Sequence, residues 1–122
     1  VNTLGAVVRA PNSVILVGDP AGEPPESMGG RLVSATPSCV AIGTLSEADG
    51  ETTIQLIDAN DAADLPTQLA FEGDVEMTSN RLTLASVLDD TYLERPVRAT
   101  SVSLQVWVND ADEPDEICVV IG

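Results

Sequence analysis

Apolar and polar residues alternate with a period of two through most of the chain, as in strands half-buried on one face. The pattern is clearest at Val102-Ser103-Leu104-Gln105-Val106-Trp107-Val108: residues 102, 104, 106 and 108 make one apolar face, while Ser103, Gln105 and Trp107 make the other. The final run, Glu116 to Ile121, is apolar at consecutive positions, which predicts a strand covered on both faces in the middle of a sheet. Leu4 to Arg9 and Ser13 to Gly18 read as strands separated by Ala10-Pro11-Asn12. Residues 18–30, GDPAGEPPESMGG, hold four Gly and three Pro and predict a long irregular loop. Arg31 to Ser34 and Ser38 to Leu45 are apolar again, broken by Thr36-Pro37. Residues 46–51 form a turn with Asp-Gly inside it, before Thr52 to Ile57. Apolar, turn, apolar at this spacing predicts a β-hairpin. Asp58 to Pro66 fits one helical turn or a loop. Gln68 to Phe71, Asp74 to Met77 and Arg81 to Ala85 are short strands linked by Glu72-Gly73 and Thr78-Ser79-Asn80.

No window of about eleven residues carries a 3.6-residue period. The pattern therefore predicts an all-β chain with little helix: an antiparallel β-sandwich, or a partly open barrel, of roughly seven to nine short strands. At 122 residues the chain fits one domain, 1–122, with no repeat and no change of composition along it. With 43% hydrophobic residues and only Phe71, Tyr92 and Trp107 as aromatics, its core must be built from Val, Leu, Ile and Ala. No apolar run approaches membrane-helix length, and no basic segment precedes an apolar one as in a signal peptide. The expectation is a soluble, cytoplasmic protein.

Charge alters this picture most. Twenty acids face five bases, all Arg (Arg9, Arg31, Arg81, Arg95, Arg98), giving −15 with no Lys and no His. Such a charge opposes nucleic acid and anionic membranes and favours cationic partners. A salt-loving organism imposes the same acidity on all its proteins, and a GC-rich genome also removes Lys, so an organismal origin stands beside the functional one. Cys39 and Cys118 lie in apolar runs, as small buried hydrophobes do. A disulfide between two strands is the alternative, which spacing does not decide.

Missing residue types exclude most chemistry. Without His there is no Ser-His-Asp or Cys-His arrangement, and without Lys no Schiff base or P-loop. Two isolated Cys are not a zinc site. Paired carboxylates could cleave a glycosidic bond, but twenty acids supply such pairs by chance and the chain has few aromatics to hold sugars. No enzyme activity and no cofactor are expected. The EF-hand template fails twice: from Asp110 it meets Pro114 and Asp115 at positions five and six, and from Asp58 it meets Ala62, Ala63 and Leu69 at positions five, six and twelve. Weak calcium binding by clustered oxygens is left as a minor alternative.

Binding to a cationic partner remains. Nine acids and no base lie between Arg31 and Arg81, and NDADEPDEI (109–117) adds five more carboxylates. The expected binding face comprises Asp110, Asp112, Glu113, Asp115 and Glu116, with Glu47, Asp49 and Glu51. The second half of the chain, from Phe71-Glu72-Gly73-Asp74-Val75 through Arg81-Leu82-Thr83-Leu84 and Arg95-Pro96-Val97 to the Trp107 strand and the apolar final strand, resembles the competence-protein-J nuclease inhibitors, small bacterial proteins that silence a partner nuclease. The resemblance covers about the last 55 residues, leaves the Pro-Gly loop unmatched and transfers no functional residue. It implies an inhibitor or immunity protein whose partner is a cationic protein such as a nuclease toxin. The alternative is a structural or assembly module whose acidity is organismal. Exposed strand edges leave monomer and homodimer both open.

Overall fold

The computed structural model describes residues 3–62 and 64–122, so Ala63 of the second calcium template lies outside the described residues. The strands are β1 (Leu4–Val8), β2 (Val14–Gly18), β3 (Val33–Thr36), β4 (Cys39–Gly43), β5 (Thr52–Asp58), β6 (Gln68–Glu76), β7 (Arg81–Ser86), β8 (Thr91–Pro96), β9 (Ser101–Val108) and β10 (Glu116–Ile121). They make two five-stranded sheets, sheet A in the order β1-β5-β10-β9-β6 and sheet B in the order β3-β4-β2-β7-β8. Every pairing is antiparallel except β5 with β10, which run parallel at the middle of sheet A. This is an open all-β sandwich, not a closed barrel. Among the described residues no helix is long and apolar enough to cross a membrane.

Alternation dictates the core. Val102, Leu104, Val106 and Val108 of β9 all face inward and are buried, as the sequence pattern requires. They meet Ile54 and Leu56 of β5, Ile117 and Val119 of β10, and, from sheet B, Ile15, Val17, Val40, Ile42, Leu82 and Leu84. The core is aliphatic, with Phe71 and Tyr92 at its margin. β10 is apolar on both faces because its outer side is covered too: Cys118 and Val120 pack with Ile57 beneath Ala62, Leu65 and Trp107. Cys39 is likewise buried, in β4 of the other sheet. Both thiols are free. Burial pushes each up to about 11.

Two sequence expectations are corrected, and one strand lies outside them. β4 and β5 do not form a hairpin: β4 lies between β2 and β3 in sheet B, and β5 between β1 and β10 in sheet A. Residues 44–51 carry the chain from one sheet to the other, and turn chemistry alone does not distinguish that route from a hairpin. The expected strands at 68–71 and 74–77 are one nine-residue edge strand, β6, which ends at Glu76. Gly73 does not interrupt it, because the Phe71 ring occupies the space a side chain would take: a Cβ there would lie 3.1 Å from Phe71 Cζ. β8 went unread. It is an edge strand, Tyr92 and Leu93 are both half-buried, and its partner β7 shifts register between Leu84 and Ala85, so period two is lost. At an edge Pro96 is tolerated.

One carboxylate fastens the connections opposite the acidic turns. Asp19, just past β2, is 5% exposed. Its Oδ1 accepts from Ala21 N–H (2.8 Å) and Ser79 Oγ–H (2.9 Å), and its Oδ2 from Thr78 N–H (2.5 Å), Ser79 N–H (2.7 Å) and the Thr78 hydroxyl (3.2 Å). Thr78-Ser79-Asn80 is the link by which the chain leaves sheet A at β6 and enters sheet B at β7. Asp19 N–H donates to Ser38 O in the β3–β4 turn, and Gly22 N–H to Asp19 O. Gly18 permits this approach, since a Cβ there would collide with the Ser38 carbonyl oxygen. Burial by itself raises the Asp19 carboxyl pKa. The N–H groups of Ser79, Ala21 and Thr78 and the Ser79 hydroxyl outweigh it and hold the group well below the usual carboxylate range.

Because the folded pKa is depressed, Asp19 stabilises the fold fully above the unfolded value of about 3.9 and progressively less as pH falls below it. Asp19→Asn turns an NH2 group toward N–H donors; we expect it to be less stable than wild type by about 3 kcal/mol at pH 7. Urea midpoints measured from pH 5 to pH 2 should show that gap narrowing with acid; parallel pH profiles would contradict the assignment. The buried thiols should resist a thiol-specific disulfide reagent in the native protein at pH 8 and both react in denaturant.

Candidate functional site

The connections β1–β2, β4–β5, β7–β8 and β9–β10 all emerge at one end of the sandwich, because the pairings place Val8, Val14, Gly43, Thr52, Val108 and Ile117 together there. Two of these connections carry the predicted binding residues, far apart in sequence. They touch directly: Leu45 N–H of the β4–β5 connection donates to Pro114 O of the β9–β10 turn at 2.9 Å. Thr53 N–H donates to Asp115 O at 2.8 Å. The connection that carries Glu47, Asp49 and Glu51 is thus joined at both its ends to the turn that carries Asp110, Asp112, Glu113 and Asp115. Glu116, at the start of β10 opposite Thr53, lies at the foot of this turn on sheet A.

Local chemistry fixes the β9–β10 turn. Asn109 closes it, with its Oδ1 accepting from Asp115 N–H (3.2 Å) and Glu116 N–H (3.1 Å) and its Nδ2 donating to Asp115 Oδ1 (2.6 Å). Asp110 Oδ2 accepts from Glu113 N–H (2.8 Å) and Asp112 N–H (3.0 Å). These two backbone donors, Glu113 first, lower the Asp110 pKa. Pro114 is buried, while Asp110, Asp112, Glu113 and Asp115 stand exposed around it. The proline is the turn's anchor and the acids are its outer surface. In the β4–β5 connection Ser46 plays the organising part, its carbonyl accepting from Asp49 and Gly50 N–H and its hydroxyl from Ala48 N–H.

Sequence reasoning missed two contributors at this end. Asp89 and Asp90 sit in the β7–β8 turn, hidden because β8 was not read as a strand. Burial raises the Tyr92 phenol pKa; a hydrogen bond with Ser86 opposes this, and the negative charges of Asp90 and Glu47 add to it, so both carboxylates act on this residue of β8. Arg9 is the counter-charge here. Its Nη1 donates to Glu47 O at 2.7 Å and its Nη2 lies 4.0 Å from Glu51 Oε1, with both side chains more than half exposed, so it braces the loop and offsets little of the field. Arg81 and Arg95 lie on the half of sheet B away from these turns. Arg81 is 3.5 Å from Glu94 and Arg95 is 2.6 Å from Asp58, so both arginines are engaged away from the acidic turns. Among the described residues no three Asp, Glu or Cys side chains converge in a way that could hold a metal ion.

No protein-family model matches the chain, and no curated protein matches it in sequence. Solved structures do match in fold. ComJ from Bacillus subtilis, an inhibitor of the DNA-degrading activity of NucA, superposes with a TM-score of 0.70 over 97% of this chain and 93% of its own, at 10% identity. The fold resembles that of ComJ throughout. The product of crocagin biosynthetic gene J superposes with a TM-score of 0.62 over 98% of this chain and 96% of its own, at 12% identity. The likeness therefore includes the Pro-Gly loop and the first strands, which the pattern of the second half did not reach.

Asn109→Ala should loosen the acidic turn without disturbing the core, because the bonds it removes are local and exposed. Amide exchange should accelerate in residues 110–116 but not in β9 or β10, with a stability loss of about 1 kcal/mol. Uniform acceleration through both strands would show that Asn109 supports the sheet instead.

Proposed function

We propose that this chain is a non-enzymatic inhibitor of immunity type that binds a basic protein, of the nuclease class, and covers its nucleic-acid cleft. The observation that carries the reading is the convergence of two acidic turns at one end of a fold shared with ComJ. An enzyme that holds nucleic acid presents cations spaced for phosphates, and carboxylates fixed on short turns offer the same charge without a scissile bond. The rigidity given by Asn109, Asp110 and Ser46 reduces the ordering cost of binding. Two unpaired thiols suit action in a reducing cytoplasm.

Affinity capture from the native lysate with the full chain should yield a basic nuclease whose DNA cleavage falls to zero at equimolar protein. Replacing Asp112→Asn, Glu113→Gln and Asp115→Asn together should slow association about tenfold at low salt, with the difference vanishing at high salt. Capture of a nuclease that still cleaves at full rate under saturating protein contradicts the reading. Acidity imposed only by the organism would leave association rates unchanged in the triple variant.

A further inference from the structure

Among the described residues β6 has a strand neighbour on one side only. It pairs with β9 along its length, and its other edge is open until Glu76, whose N–H donates to Pro37 O of the β3–β4 turn at 2.8 Å. That bond fixes the direction of the backbone groups. Alternate residues of a strand point their N–H and C=O the same way, and no register shift falls between Phe71 and Glu76, so Glu72 and Asp74 also direct theirs away from β9 into the open edge. Their pairs with Gln105 and Ser103 are then the non-hydrogen-bonded kind, in which side chains come closest. The contacts agree: Gln105 Nε2–H donates to Glu72 Oε2 at 2.6 Å and Ser103 Oγ–H to Asp74 Oδ1 at 2.7 Å.

Both carboxylates stand beside a groove of about 250 Å³ that runs along the outer face of sheet A past Gly73 toward Val120. No described arginine lies within ion-pair distance of either. Further along the same face, Trp107 Nε1–H donates to Gln105 Oε1 at 3.2 Å, so the indole is tied through Gln105 to Glu72. Opposite Trp107 in the register, Leu69 is 45% exposed. An unpaired backbone edge, fixed carboxylates and a Trp–Leu pair across β9 and β6 thus lie together along one margin of sheet A.

We propose that the open edge of β6 takes up an extended, arginine- or lysine-bearing segment of the partner protein as a sixth strand of sheet A. The inference rests on the binding role proposed above and assigns it a second surface and a form of partner segment. Strand addition supplies backbone hydrogen bonds, and alternate side chains supply selectivity. Cations two residues apart on an added strand fall about 6.7 Å apart, the same spacing as Glu72 and Asp74. A second copy of this chain is disfavoured, since pairing β6 with itself would set like charges against each other. Because Glu76 N–H is already bonded to Pro37, the added strand is short and ends before that residue.

The test uses the full chain and synthetic peptides of about eight residues with Arg at alternate positions. One version is unmodified, and one is N-methylated on the amides that would face β6. The unmodified peptide should bind, protect the Glu72 and Asp74 amides from exchange and shift Trp107 fluorescence. Glu72→Gln with Asp74→Asn should weaken it about tenfold, as expected for loss of two charge pairs. The N-methylated peptide should not bind. Equal binding of the two peptides, unchanged affinity in the double variant, or protection confined to residues 110–116 would each overturn strand addition. A basic protein that binds the double variant as tightly as wild type would overturn it while leaving the inhibitor role standing. Failure of wild type to bind any basic protein would remove both.

Discussion

The arrangement of the two sheets depends on a buried carboxylate in a loop with no secondary structure. Asp19 is the first residue after β2, and its two oxygens collect donors from its own loop and from the β6–β7 crossover some sixty residues later. Hydrophobic burial would press the sheets together in more than one offset, because apolar contacts carry little direction. A charged acceptor with backbone donors aimed at it is directional, and breaking it exposes a desolvated charge. It fixes where the long edge strand β6 ends and where β7 begins. The Ser38 carbonyl, which accepts from Asp19 N–H, extends the same fastening to the β3–β4 turn, and that turn bonds Glu76 through Pro37.

Charge is distributed so that it costs the fold little. The core is aliphatic and lacks ionised groups, and the free thiols inside it remain protonated. Apart from the buried Asp19, most of the acids stand on turns, loops and strand faces, where water solvates them. Self-repulsion from −15 would favour expansion, yet the acidic turns are closed by local bonds from Asn109, Asp110 and Ser46 that do not depend on distant charge. What results is a scaffold with locally braced acidic turns and a net charge of −15. Its aliphatic core holds no charge, and the one buried carboxylate, Asp19, is matched by hydrogen-bond donors.

Much of this was legible in the sequence, and the failures have particular causes. β9 and β10 were plain because burial on one face or both writes itself into side-chain chemistry. The acidic turn after Trp107 was legible for the same reason, with Pro114 marking the bend between carboxylates. That the connection carrying Glu47, Asp49 and Glu51 is joined to that turn follows from the Leu45–Pro114 backbone bond, which no pattern of residue types encodes. The supposed β4–β5 hairpin failed because a polar turn between apolar runs looks the same whether the chain doubles back within a sheet or crosses to the other. β6 was cut in two at Gly73 because a glycine weakens a strand pattern unless a neighbouring ring fills its place, as Phe71 does. Asp19 was hidden in GDPAG, where a loop aspartate looks solvated; only its tertiary partners make it structural.

In the proposed inhibitor role, the fold holds carboxylates where a basic enzyme would otherwise hold phosphates. Competition for the partner's cleft tests that most directly. With the captured partner in an inactive form that still binds DNA, a labelled duplex should be displaced completely by this protein, with one protein bound per partner and no complex containing all three. A stable ternary complex, with DNA affinity unchanged at saturating protein, would contradict the account.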